Sequence, residues 1–135
     1  MYVLDTSALS EIIKRHPDQA FVRRLHQKTS DTLFTAAIFV MELRYGASLR
    51  QDREAFWRHI QNEILPHVQV LEFGEEEALM AGDLLAHLRR TGRPVGLEDV
   101  LIAAVARTHG YTVVTHNVRH FQHLPGVKVE DWIGS

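Results

Sequence analysis

Three acids far apart in the chain, Asp5, Glu42 and Asp99, have neighbours that make their positions chemically informative. Asp5 directly follows the short apolar run Tyr2-Val3-Leu4, and in open parallel sheets the functional crevice lies outside the carboxyl ends of the strands. The alternative for Asp5, or for Thr6 or Ser7 beside it, is to cap the helix that follows, a place these residue types prefer. Glu42 sits among Phe39, Val40, Met41 and Leu43, where a carboxylate is costly unless paired or bound to metal. It could equally share the polar side of a helix with Arg44 and Ser48. Asp99 opens the apolar run Val100-Leu101-Ile102-Ala103-Ala104 and arrives from a loop holding Pro94 and Gly96. Either it is a first-turn acid favoured by the helix dipole, as Glu98 beside it would also be, or the loop delivers it to the sheet's carboxyl edge.

If the three meet, mutual repulsion raises their pKa values until a divalent cation offsets it. Oxygen donors alone indicate a hard cation, magnesium or manganese, holding several waters of its own. Zinc fits poorly, because no histidine or cysteine accompanies the acids. The nine histidines form no paired helical motif of the zinc-hydrolase type, and His59, His67, His87 and His109 read as surface residues.

The elements that must position these acids alternate short apolar runs with helical periodicity, which predicts an α/β domain with a mainly parallel sheet of four to five short strands flanked by helices. Strands are expected at Tyr2 to Leu4, Thr32 to Thr35, Val68 to Phe73 and Thr112 to Thr115, with a short fifth at Val127 to Val129. Helices are expected from Ser7 to Arg15, ended by His16-Pro17, and from about Asp18 to Lys28. A third spans Ala36 to Leu49 and contains Glu42. A fourth spans Asp52 to Leu65, capped by Asp52 and stopped by Pro66, with Phe56, Trp57 and Ile60 at helical spacing. That stripe suits either the core or a partner. Glu75-Glu76-Glu77 opens a fifth helix that runs to Gly92, and a sixth runs from Leu97 or Glu98 to His109 with Gly110 as its stop.

At 135 residues, 45% hydrophobic and 24% charged, the chain suits one globular domain spanning 1–135. Its longest apolar stretches fall well short of the roughly 20 residues that span a bilayer. The N-terminus shows no basic region ahead of a long apolar run, so no signal is expected and the chain is expected to act in the cytoplasm. The absence of cysteine excludes disulfides, thiolate metal sites and a cysteine nucleophile. With a net charge of −2, nucleic acid would have to be held by local basic patches, and Arg23/Arg24, Arg44 to Arg58 and Arg89 to Arg93 supply candidates that otherwise read as solvated helix faces.

The ordered motifs resemble the PIN-domain ribonucleases, specifically the VapC toxins of type II toxin-antitoxin modules. The likeness is carried by Tyr2-Val3-Leu4-Asp5-Thr6-Ser7, by Val40-Met41-Glu42-Leu43-Arg44-Tyr45-Gly46, and by Gly92-Arg93-Pro94-Val95-Gly96 with Asp99 and Leu101-Ile102-Ala103-Ala104. Val114-Thr115-His116-Asn117, Phe121, Pro125-Gly126-Val127 and Asp131-Trp132 complete it. The resemblance implies that Asp5, Glu42 and Asp99 hold Mg2+ or Mn2+, supported by Thr6 or Ser7 and by Thr115. Many PIN domains carry an acid where Asn117 stands, and many of these toxins carry one where His120 stands. Asn117 still offers a carbonyl oxygen but no charge. His120 is either a contact to the scissile phosphate or a surface residue.

The implied reaction is hydrolysis of an RNA phosphodiester, transfer RNA first among substrates, with basic residues such as Arg44 or Arg93 positioning the backbone. A homodimer and a tight complex with a small antitoxin are implied as well. Two other classes compete. Phosphoryl transfer through an aspartyl intermediate also starts with Asp after the first strand, but Ser7 stands where such hydrolases have a second Asp and no matching lysine motif appears. A PIN-fold module that only binds an antitoxin or RNA is supported by Asn117 and His120, and opposed by the cost of three uncompensated acids in a purely structural domain.

Overall fold

The computed structural model describes residues 1–134. Five strands, β1 (Tyr2–Leu4), β2 (Leu33–Ala36), β3 (Gln69–Leu71), β4 (Thr112–Val114) and β5 (Lys128–Glu130), form one sheet in the order β3-β2-β1-β4-β5. Every pairing is parallel. Each crossover therefore needs a long connection, and six α-helices supply the covering layers: α1 (Thr6–Ile12), α2 (Gln19–His26), α3 (Ala37–Ser48), α4 (Arg53–Glu63), α5 (Glu75–Thr91) and α6 (Leu97–His109). The chain leaves β1 towards β2 and β3 on one side, then returns to build β4 and β5 on the other. The order thus reverses between β1 and β4, the place where parallel sheets open a crevice.

The central strands are buried on both faces, with Val3, Leu4, Val113 and Val114 essentially inaccessible. α6 is their main cover: its Val100 and the run Ile102 to Ala106 are buried. Trp132 closes the other end of the core, edge-on to Tyr2 with ring centroids 5.2 Å apart and tilted against Phe21 at 6.1 Å.

The expected elements are all present, and the differences lie at their ends. α1 stops at Ile12, before Arg15, because Ile13 and Lys14 turn their N–H groups back to Ser10 and Glu11 at three-residue spacing. Glu11, buried in this turn, accepts from the Asp18 N–H at 2.8 Å and pairs with Lys14 at 2.8 Å, which ties the loop to α2. β3 is shorter than Val68 to Phe73, since it lies at the sheet edge and β2 offers only Phe34 to Ala36 as partners. Asp52 precedes α4 without capping it, because its carboxylate is held by the Arg50 guanidinium at 2.7 and 3.1 Å. Ile60 enters the core, while Phe56 and Trp57 are half-buried beside it. Gly92 and Gly110 end α5 and α6 in the left-handed conformation, at φ 65° and 74°, as glycine stops do. His59, His67 and His109 are exposed and His87 is half-buried. No helix among the described residues is long and apolar enough to cross a membrane.

Candidate active site

Parallel alignment brings the carboxyl ends of β1, β2 and β4 to one edge. Asp5 leaves β1 there, with its N–H still bonded to the Val114 carbonyl at 3.0 Å. Its side chain caps α1: Oδ1 accepts from the Ala8 N–H at 2.9 Å and from the Ser7 hydroxyl at 2.6 Å. Its Oδ2 accepts from the hydroxyl of Thr115, the residue after β4. Asp5 is thus the helix cap and at the same time lines the crevice, since capping uses only its Oδ1.

β2 passes directly into α3, whose second turn carries Glu42 to the same edge, where Thr6 donates to its Oε1 at 3.1 Å. The loop at Pro94 to Gly96 sets the N-terminus of α6 opposite, so that Asp99 faces Asp5 and Glu42 across a cavity of about 470 Å³. Glu98 lines this cavity too, as do Asn117 and His120 from the turn after β4. Ser7 and Thr115 act from behind: Ser7 accepts from the His116 N–H at 3.2 Å and Thr115 from the Asn117 N–H at 2.9 Å, which holds the β4 turn against β1. His120 Nδ1 lies 3.3 Å from Asp99 Oδ2.

Glu98 has no distinctive sequence signal beyond being an acid in a first helical turn, yet it shares the cavity with Glu42 and acts on its ionisation. Burial, the neighbouring Glu98 carboxyl and the charge of Asp5 push Glu42 up to about 7, against the opposing bond from Thr6. Burial likewise raises Asp99, with the charges of Glu98 and Asp5 adding to it and the His120 ring opposing. Two carboxylates that resist ionisation in one cavity need a cation or a proton to share.

Arg44 and Arg93 lie outside the cavity. The Arg44 guanidinium stacks 4.8 Å from the Trp57 ring centroid, in a cleft with Ser48, Arg53 and Glu54. Arg93 lies beyond the loop that leads into α6, at a separate groove.

Four carboxylates and the Asn117 amide give the cavity a mostly oxygen donor set, which suits a hard divalent ion, although, against the sequence expectation, one histidine, His120, does accompany the acids. Among the described residues no three acids or histidines already enclose an ion site.

Comparison with known proteins defines the class. The PIN domain family model matches residues 2–127. The tRNA(fMet)-specific endonuclease VapC of Salmonella typhimurium is 33% identical over 133 residues, covering 97% of both chains. The VapC ribonuclease Y4jK of Sinorhizobium fredii is 34% identical over 127 residues, covering 90% of this chain and 91% of that one. The crystal structure of DNA-bound VapBC from Salmonella typhimurium superposes with a TM-score of 0.88 at 33% identity, over 97% of each chain. This chain belongs to the PIN-domain family, among the VapC ribonucleases.

Proposed function

We propose that this chain is the toxin of a VapBC-type pair and hydrolyses RNA phosphodiester bonds, those of transfer RNA first, at the acidic cavity. The observation that carries the reading is the convergence of Asp5, Glu42 and Asp99 on that one cavity, at the edge where the strand order reverses. Mg2+ or Mn2+ would be held by these three carboxylates, with Glu98 as a fourth acid and the Asn117 carbonyl oxygen as a neutral donor. Such an ion supplies charge neutralisation at the phosphate and a more acidic water.

The chain's own residues do the positioning. Thr115, Ser7 and the Ala8 N–H fix the Asp5 carboxylate, and Thr6 orients Glu42, so neither rotates away when the substrate's charge arrives. A cluster carboxylate accepts the proton of the attacking water as the new P–O bond forms and the bond to the leaving ribose oxygen breaks. His120, held by Asp99 through Nδ1, lines the same cavity and offers its other ring nitrogen as a contact to the phosphate.

An antitoxin partner, drawn from the VapBC relative, and a homodimer, which the resemblance implies, are part of the same proposal. The exposed Met41 and Tyr45 of α3 and Leu49 just after it, four residues apart, offer an apolar stripe suited to a protein partner. Incubating purified protein with total transfer RNA and Mg2+ or Mn2+, then mapping new ends, tests the activity. New ends that vanish with EDTA or with Asp5→Asn support it, and their absence from the wild-type reaction overturns it.

A further inference from the structure

We propose that the groove beside the acidic cavity, centred on Arg93 and His123, is a phosphate-binding subsite that holds the RNA backbone next to the scissile bond. This inference rests on the ribonuclease reading above.

The groove, of about 330 Å³, is lined by His87, Thr91, Arg93, Gln122, His123 and the segment to Pro125. Arg93 also borders a second groove of similar volume, which Arg89 lines from α5. Neither groove is lined by a carboxylate, and among the described residues Arg93 forms no ion pair. Its one side-chain partner is another basic residue: Nη1 lies 2.5 Å from His123 Nδ1. A guanidinium can only donate, so the imidazole accepts at Nδ1 and carries its proton on Nε2. Both side chains are then left with N–H donors and no anion, an arrangement that a phosphodiester oxygen completes.

The walls are built rather than loose. On one side Gly92, at φ 65°, lets the Arg93 N–H return to the Leu88 carbonyl at 3.0 Å. On the other, Phe121 and Leu124 are buried at 3% and 4% exposure and turn Gln122 and His123 outward between them. Arg107 secures that segment by donating to the Pro125 carbonyl at 2.9 Å. Two chain segments run from the groove into the cavity: Arg93 to Val95 leads to Gly96 and Asp99, and His123 leads back to Phe121 and His120. An RNA backbone whose scissile phosphate sits among the acids would follow these segments to the exposed Arg93–His123 pair, whose guanidinium offsets the repulsion that four carboxylates exert on RNA.

The test is fluorescence anisotropy of a fluorescein-labelled transfer RNA in EDTA, across a salt series, with wild type, Arg93→Ala, His123→Ala, Arg93→Lys and the exposed control Arg58→Ala. Mn2+ affinity is measured by calorimetry on each. Arg93→Ala is expected to weaken RNA binding about tenfold and to lower the salt slope by about one. Arg93→Lys is expected to keep the slope and lose part of the affinity, because a point charge replaces a fork. Mn2+ affinity stays unchanged. Unaltered RNA affinity and slope in both Arg93→Ala and His123→Ala, with wild-type binding intact, overturn the subsite alone. A weakened antitoxin complex with unchanged RNA binding overturns it in favour of a protein contact. Absence of RNA binding by the wild-type protein overturns the subsite together with the ribonuclease reading.

Discussion

Thr115, the residue after β4, donates its hydroxyl proton to Asp5, the residue after β1, and at the same time accepts from the Asn117 N–H at 2.9 Å. One buried hydroxyl, 1% exposed, thereby fixes an acid of the cavity and starts the turn that brings His120 to it. Thr115→Val keeps the shape and deletes both bonds. It is expected to cost about 1–3 kcal/mol in urea unfolding, because Asp5 and the Asn117 N–H each lose a partner. Mn2+ affinity measured by calorimetry should fall alongside. An unchanged unfolding midpoint would refute the role given to Thr115.

The raised pKa values make the metal-free protein sensitive to pH. Glu42 is held near 7 in the fold, against an ordinary 4.5, so between those values the folded state binds more protons than the unfolded one. Stability conferred by the protonated form is complete below about pH 4.5 and is lost as pH rises to about 7, with Asp99 adding in the same direction. Thermal melts in EDTA should therefore show Tm falling over this interval. Glu42→Gln should flatten the fall, and Glu98→Gln should move it to lower pH by removing the negative charge of a neighbour. A Tm that rises over the interval would contradict the assignment.

A divalent ion should reverse that loss at neutral pH. At about a hundred times its Kd a ligand stabilises by about 2.7 kcal/mol, equivalent to a Tm increase of about 10 °C in a domain of this size. Wild-type protein with Mn2+ should show such a shift, and Asp5→Asn and Asp99→Asn should show little of it. Equal shifts in all three proteins would mean that the ion binds elsewhere.

Gly126 tests how the segment after the β4 turn is held. It has φ 76°, and a Cβ there would lie 2.8 Å from Arg107 Nε. Gly126→Ala must bear the left-handed conformation, about 1–2 kcal/mol, and also push aside the guanidinium that holds the Pro125 carbonyl. A loss of about 2–3 kcal/mol in denaturant unfolding is expected, the increment above the backbone cost belonging to Arg107. In Arg107→Ala the same glycine substitution should cost only the backbone part, which a double-mutant cycle reads directly.

Much of this molecule was legible from local pattern. Apolar runs, glycine stops at Gly92 and Gly110, and the acids after β1 and at the head of α6 are local signals, because strand and helix periodicity and capping depend on residues a few positions apart. The class of the sheet followed from the alternation of such elements. What lay beyond reach were relations set by strand order and packing. Glu98 looked like any first-turn acid until the α6 terminus was placed opposite α3, where it meets Glu42. His123 carried no signal at all, since its meaning comes from Arg93, thirty residues earlier. Asp52 read as a cap and instead pairs with Arg50, because a competing local partner was nearer than the helix N–H groups.

The amino-acid sequence by itself determined which elements form and which acids stand at their ends, for those choices are made by side chains within a turn or two of each other. Only the tertiary structure decided which acids share a cavity and which cations border it. Contacts across 30 to 110 positions depend on the order in which parallel strands pair and on how helices pack over them, and many arrangements of the same elements would satisfy the same local pattern.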